Sequence, residues 1–133
     1  MKSLKWGRIL LAGIETQAAV LLIVMLVTMV YAFKLSYDVR GGPDEVLLGQ
    51  FAESVSRSYW WILQTLLTVP ATVWGLKKIE SSLDLHGVLI GLVVAIVGLG
   101  LGFTLNFRAV VAFTMTVSAG RIGAALVAHR RMQ

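Results

Sequence analysis

The chain has 133 residues, of which 57% are hydrophobic and only 14% are charged, with a mean hydropathy of +0.80. A soluble domain would carry about a quarter charged residues, so this composition excludes that class of protein. The lack of cysteine excludes disulfides, thiolate chemistry and Cys-based metal sites. The net charge of +5 comes from basic residues that flank apolar runs, which favours contact with anionic lipid headgroups over nucleic acid.

Four apolar runs approach or reach the roughly 18–20 residues that a helix needs to cross a bilayer. We therefore predict an all-α integral membrane protein, a four-transmembrane-helix bundle in which residues 1–133 form a single membrane domain. The predicted spans cover residues 9–33, 58–76, 85–105 and 109–128. The apolar run behind the basic start MKSLKWGR is about 25 residues long, too long for a signal peptide, so we expect a retained first span.

A polar connection at residues 34–57 separates the first two spans and is long enough to have structure of its own. Gly41-Gly42 ends the first helix, and Pro43-Asp44 suits the first turn of a new one. The apolar residues that follow share one helical face: Leu47, Leu48, Phe51 and Val55. We predict a short amphipathic extracytoplasmic helix that lies in the interface or extends the second span. The alternative is an ordered polar loop.

Small residues in the last two spans predict close helix packing. In the third span, Gly98 and Gly102 form a G-x-x-x-G pair. The fourth span repeats a small residue at every fourth position, which we call the ladder: Ala112, Thr116, Gly120, Ala124 and Ala128. The ladder forms a continuous groove along one helix face. Whether this face points inward or outward stays open.

Two ionisable residues interrupt the spans and are candidates for an intramembrane ion pair. Glu15 is the only charge in the first predicted span, and Arg121 is the only one in the fourth. Each lies roughly 9 Å from the same end of its span, at 1.5 Å per residue, and each is surrounded by small residues. We hypothesise that they pair inside the bundle and fix the register of spans one and four. Alternatively, Arg121 snorkels to the headgroups and Glu15 meets water at a thinned interface.

The other polar residues of the spans give no catalytic pattern. Gln17 and Gln64 are expected to hydrogen-bond to neighbouring helices. His86 and His129 stand near helix ends, where we expect both at the membrane surface. No Asp, Glu and His cluster has the spacing of a metal site, and no serine has a base beside it. We therefore expect neither an enzyme nor a cofactor.

The basic residues are distributed unevenly between the two predicted sides of the membrane. Seven fall on one side: Lys2, Lys5, Arg8, Lys77, Lys78, Arg130 and Arg131. Four fall on the other: Lys34, Arg40, Arg57 and Arg108. This bias predicts cytoplasmic N- and C-termini and argues against dual topology. We expect a multi-pass protein of a bacterial inner membrane or a plasma membrane.

Two functions from different classes remain open. The first is a small polytopic protein that acts by helix packing, as an accessory subunit or assembly factor of a membrane complex or as a homo-oligomer. The second is a small oligomeric transporter or channel in which Glu15 and Gln17 line a polar path. Glu15 would then bind a proton or cation, since a low dielectric favours the neutral form of a carboxyl group. The expected partners are the bilayer, anionic headgroups at the cytoplasmic face and other membrane chains, without nucleic acid.

Overall fold

The chain forms four α-helices in a computed structural model that describes residues 4–42, 44–80, 82–100 and 107–133. The helices are α1 (Trp6–Val39), α2 (Glu45–Gly75), α3 (Leu83–Gly100) and α4 (Phe107–Met132). No strand occurs in these described ranges. Helices α1, α3 and α4 are each long and apolar enough to cross a membrane. The prediction of an all-helical membrane protein is confirmed. Helix α2 does not belong to this group of three apolar helices.

The first two helices are longer than the predicted spans. Helix α1 continues to Val39 and ends at Arg40, which adopts a left-handed conformation with φ 52°. Because α2 already begins at Glu45, most of the predicted connection 34–57 is helical. Helix α4 begins at Phe107, two residues before the predicted fourth span.

The amphipathic segment is the first part of α2 and not a separate helix. The carboxylate of Asp44 caps it, accepting hydrogen bonds from the backbone N–H groups of Val46 at 2.9 Å and Leu47 at 3.3 Å. About two turns further on, Glu53 and Arg57 form an exposed i,i+4 ion pair at 2.7 Å. The helix then continues without interruption to Gly75, so the segment extends the second predicted span.

The bundle places α1 and α4 at opposite corners. Each of them packs against both α2 and α3, and no Cα of α1 lies within 8 Å of a Cα of α4. The chain termini meet the α2–α3 connection, because Arg131 donates to the carbonyl oxygen of Ile79 at 2.7 Å and the Lys5 N–H donates to Nε2 of His86. We call this the terminal end of the bundle. Its apolar core consists of Ile9, Ala12, Leu76, Ile79, Ile90, Val94, Ala124 and Val127.

Glycines bring the backbones of α3 and α4 into contact. A Cβ atom on Gly91 would lie 2.8 Å from the carbonyl oxygen of Thr116 and 2.9 Å from the Cα of Val117. A Cβ atom on Gly87 would lie 2.6 Å from the carbonyl oxygen of Gly120. Since the opposing atoms belong to the backbone, neither position has room for a side chain. The ladder therefore faces inward against α3, with Ala112, Thr116, Gly120 and Ala124 buried and Ala128 half-buried.

The glycine pair that makes this contact is not the predicted one. Gly87 and Gly91 form a second G-x-x-x-G spacing. This pair was not predicted, although it can be read from the sequence. Gly98 instead faces the amide side chains of Gln17 and Gln64. Gly102 lies outside the described residues.

The α1–α2 hairpin extends beyond the start of α4. Ser58 of α2 and Arg108 of α4 line one shallow pocket and so lie at the same level. Helix α2 begins 13 residues before Ser58, about 20 Å further along its axis. The extension is held by Tyr31 and Phe51, whose rings stack at 3.8 Å, and by a buried cluster of Val20, Val24, Val55 and Trp60.

We expect Gly91→Leu to lower the stability of the protein by about 1–3 kcal/mol, because the new side chain has to push the α4 backbone away. Gly49→Leu is the matched control, since nothing lies within 4 Å of a Cβ atom at that position. The control also corrects for the higher helix propensity of leucine. Thermal unfolding followed by circular dichroism in detergent measures both variants. Equal unfolding midpoints would contradict the described α3–α4 contact.

Candidate functional site

A layer of polar side chains crosses the middle of the bundle and links all four helices. From α1, Gln17 donates its Nε2 to the carbonyl oxygen of Val94 at 2.8 Å. From α2, Gln64 donates its Nε2 to Oγ1 of Thr116 at the longer distance of 3.4 Å, and the hydroxyls of Thr65 and Thr116 are 3.3 Å apart. Both glutamines thus bond to neighbouring helices, the role that the sequence analysis assigned to them. We call this set the polar layer.

The polar layer holds two buried amide oxygens without a hydrogen-bond partner in the described part of the chain, Oε1 of Gln17 and Oε1 of Gln64. A Cβ atom on Gly98 would contact both amides, so the missing side chain at this position makes room for them. A cavity beside Gln64 measures about 10 Å³ and is lined by Ala95, Leu99, Ala109, Ala112 and Phe113. This volume is close to the smallest that holds one water molecule.

Buried threonines in and around the layer satisfy their hydroxyls within their own helices. Thr16, Thr68 and Thr116 each donate to the carbonyl oxygen four residues earlier, at 2.7 to 2.8 Å. This local bond removes most of the cost of placing a hydroxyl in an apolar interior. Amides and aliphatic hydroxyls do not ionise near neutral pH. The polar layer therefore supplies hydrogen bonds and packing, and it contains no general acid or base.

Glu15 lies outside this layer, on the outer surface of α1. It is exposed, whereas Gln17 is 3% exposed. Two residues of an α-helix are separated by about 200° around its axis, so the two side chains point to opposite faces. One chain therefore does not present Glu15 and Gln17 to the same path, which removes the geometry that the transporter hypothesis used.

The predicted ion pair between Glu15 and Arg121 inside the bundle is wrong. Arg121 pairs with Asp84 of α3, with Nε and Oδ1 3.3 Å apart and side chains that are 71% and 68% exposed. The physical reason is the placement of α1 and α4 at opposite corners. The small residues beside Arg121, Ser118 and Ala125, are exposed, because the ladder occupies the inward face of the same helix. Arg121 instead reaches along the bundle surface to Asp84 in the first turn of α3.

The sequence did not reveal the environment of two side chains at the terminal end, His86 and Arg131. His86 is 3% exposed and not at the surface, because the start of α1 covers it. Its Nε2 accepts from the Lys5 N–H at 3.4 Å, and its Nδ1 lies 2.9 Å from the carbonyl oxygen of Ser82. His129 is exposed. Arg131 was predicted only as one of the basic residues on the cytoplasmic side. In the structure it donates hydrogen bonds to the carbonyl oxygens of Leu76, Lys77 and Ile79, which follow the last residue of α2.

Comparison with known proteins adds no assignment. The chain matches no protein-family model, and no curated protein or solved structure resembles it significantly. Within the described ranges, no group of three or more His, Cys, Asp or Glu residues is placed to hold a metal ion. The interpretation therefore rests on the polar layer and on the exposed charges.

We expect Gly98→Ala to destabilise the bundle and Gln64→Ala to rescue it in part. The added methyl group meets flexible amide ends, so truncating Gln64 relieves the clash. In a double-mutant cycle the two changes should be non-additive by about 1 kcal/mol or more. The comparison cycle is Gly91→Ala with Thr116→Ala, which should be additive because the Gly91 clash is with backbone atoms. Additivity in both cycles would contradict the described packing of Gly98.

We expect Arg131→Ala to cost about 1–2 kcal/mol, because it removes charge-assisted hydrogen bonds to carbonyl groups at the end of α2. The neighbouring Arg130→Ala is the matched control, since Arg130 is exposed and carries the same charge. Chemical unfolding in mixed micelles compares the two variants at one ionic strength. If both lose the same stability, net charge and not helix capping explains the effect.

Proposed function

We propose that this chain is a non-enzymatic membrane protein that works by helix packing, as a subunit or assembly factor of an oligomeric membrane complex. One observation carries the proposal: the outer face of α1 is open and carries the exposed carboxylate of Glu15. The most apolar 18-residue window of α1, which follows Glu15 in the chain, is only 11% buried, against 39% in α3 and in α4. A charge within an apolar span is costly when it faces lipid. A neighbouring chain that covers this face supplies a partner for it.

The proposal includes α2 as a fourth span, although its sequence is less apolar than those of the other helices. The polar residues that lower its hydropathy, Gln64, Thr68 and Thr72, lie four positions apart and are at most 2% exposed. Its exposed positions between residues 59 and 74 are apolar or aromatic: Tyr59, Leu66, Pro70 and Trp74. Lipid would therefore meet an apolar surface. Tyr59 and Trp74 also place aromatic rings near both interfaces.

The length of the hairpin supports a partner along the α1–α2 extension. From Ser58 to Lys77, α2 covers about 30 Å, which matches the hydrocarbon thickness. The α1–α2 extension then projects beyond this segment of α2, and on α1 it includes part of the predicted first span, residues 9–33. It still exposes large apolar side chains, including Met29 at 54%, Val30 at 68% and Phe33 at 66%. Where this apolar surface lies outside the bilayer core, it is typical of protein interfaces.

The proposed orientation places the terminal end in the cytoplasm. The bundle puts most basic residues at this end: Lys5, Arg8, Lys77, Lys78, Arg130 and Arg131. The smaller basic set belongs to the opposite end and the hairpin: Lys34, Arg40, Arg57 and Arg108. Positive charge favours the cytoplasmic side, where it also meets anionic headgroups.

Transport is the second candidate, and it rests on Glu15 alone. A path through a single chain would need further polar side chains on the outer face of α1, whereas Gln17 faces the polar layer. A path between chains would again require an oligomer. Helix packing is therefore the simpler proposal, and both are separated by experiment.

Cysteine labelling tests whether α2 crosses the membrane. Because the chain has no cysteine, Gly49→Cys and Lys78→Cys each give one reactive position, and the unsubstituted chain is the background control. We expect a membrane-impermeant maleimide to label Gly49→Cys from outside and Lys78→Cys only in inverted vesicles. Labelling of both variants from the same side would leave three spans.

Gentle purification from the native membrane, followed by native mass spectrometry, tests the proposed function. We expect complexes heavier than the 14.5 kDa chain, built from copies of the chain or with a second protein in fixed ratio. In proteoliposomes, neither the wild type nor Glu15→Gln should raise proton or cation flux above that of empty vesicles. A monomer with flux that Glu15→Gln abolishes would overturn the proposal in favour of transport.

A further inference from the structure

The two opposite corners of the bundle carry complementary surfaces. On α1, exposed residues at heptad-like spacing form what we call the α1 face: Leu11, Glu15, Ala18 and Leu22. On α4, exposed residues form what we call the α4 face: Thr114, Ser118, Arg121 and Ala125. The first has one negative charge among apolar residues. The second has small or polar residues and one positive charge, so the pair combines close approach with opposite charge.

Contacts with α3 give the depth of Glu15 in the bundle. It lies between Gly13, whose Cβ position faces Val93, and Gln17, which donates to the carbonyl oxygen of Val94. Helices α1 and α3 both run away from the terminal end. Glu15 therefore stands level with the α3 residues just after Val94.

The same helix gives the depth of the α4 face. Gly91 of α3 is opposite Thr116 and Val117 of α4. Because α4 runs antiparallel to α3, moving a turn along α3 to the level of Glu15 corresponds to moving back to about Phe113. Arg121 then lies eight residues closer to the terminal end, roughly 12 Å along the axis.

Side-chain direction reduces this offset from the side of Glu15. Cα–Cβ bonds tilt toward the N-terminus of a helix. The side chain of Glu15 therefore leans toward the terminal end and so toward the level of Arg121, whose own side chain reaches Asp84 in the first turn of α3. Ser118 lies between these levels and adds a hydroxyl donor. The bond to Asp84 involves Nε of Arg121, and a guanidinium carries four further N–H donors on its terminal nitrogens.

We propose that a second copy of this chain, inserted with the same topology, packs its α4 face against the α1 face, so that Glu15 of one copy meets Arg121 and Ser118 of the next. The inference rests on the proposed helix-packing function and names the partner. It turns two exposed intramembrane charges into one pair, which avoids the cost of leaving them against lipid. Small residues on the α4 face let the two helices approach closely.

The geometry sets the kind of assembly. Because the two faces differ and lie at opposite corners, the contact is head-to-tail and a pair of copies keeps one free α1 face and one free α4 face. Such a contact continues into a ring or an open row and does not stop at a two-fold dimer. Complexes of three or more copies are therefore expected.

Disulfide cross-linking between two differently tagged copies tests the contact. One copy carries Leu11→Cys and the other carries Ser118→Cys, two exposed positions at matching depth. We expect a disulfide between the two tags after mild oxidation in native membranes. Leu11→Cys with Leu66→Cys is the matched control, since Leu66 is 63% exposed on α2 and should not cross-link. Cross-linking of Leu11→Cys with itself, without the mixed product, would indicate a two-fold α1–α1 dimer and overturn the proposal.

Charge variants test the ion pair in the same assay. We expect Glu15→Ala and Arg121→Ala each to reduce the cross-linked fraction, with association weakened roughly three- to thirtyfold. The double variant should be no weaker than either single one. Asp84→Asn is the control, because it removes the partner of Arg121 within the chain and should leave association intact. A loss with Asp84→Asn as large as with Arg121→Ala would mean that the Arg121–Asp84 bond acts within one chain, which overturns the proposal.

The experiments can refute this head-to-tail contact without refuting the proposed function. A stable complex with a different protein, and no cross-link between copies, refutes the head-to-tail contact and leaves the subunit role standing. A 14.5 kDa monomer in native membranes refutes both.

Discussion

Backbone contact between α3 and α4 is the constraint on which the other positions in the bundle depend. Gly87, Gly91 and Gly120 let the two helices approach until carbonyl groups and Cα atoms touch. This contact fixes the rotation of α4, because its ladder has to face α3. The opposite face of α4, with Ser118 and Arg121, is then necessarily directed outward.

The same constraint separates α1 from α4. Helix α1 packs against α3 and α2, so it occupies the remaining corner. Its inner face presents Gln17 to the backbone of α3, and its outer face presents Glu15. Gln17, Gln64 and the buried threonines therefore lie inside, where hydrogen bonds satisfy most of them, while Glu15 lies outside. The interior of the bundle is packed and hydrogen-bonded, whereas its outer surface exposes charged side chains. We therefore interpret the molecule as part of an assembly.

The polar interior also explains why the mean hydropathy of α2 is lower than that of helices α1 and α3, which are long and apolar enough to cross a membrane. Hydropathy averages all residues of a helix, whereas a bundle separates them by face. Between residues 59 and 74 of α2, Gln64, Thr68 and Thr72 are buried and the exposed positions are apolar or aromatic. Beyond the bundle, the same helix pairs with α1 and forms the extension that exposes Met29, Val30 and Phe33.

The sequence by itself determined the helical membrane class, the approximate positions of the helices and the existence of a small-residue face on α4. These follow from composition and from spacing along one helix, which are local properties. Only the tertiary structure decided that the ladder faces α3, that Gly87 and Gly91 meet it, that His86 is buried and that Arg121 pairs with Asp84. The physical reason is that periodicity defines which residues share a face, but the rotation of a helix against its neighbours depends on contacts between segments far apart in the chain.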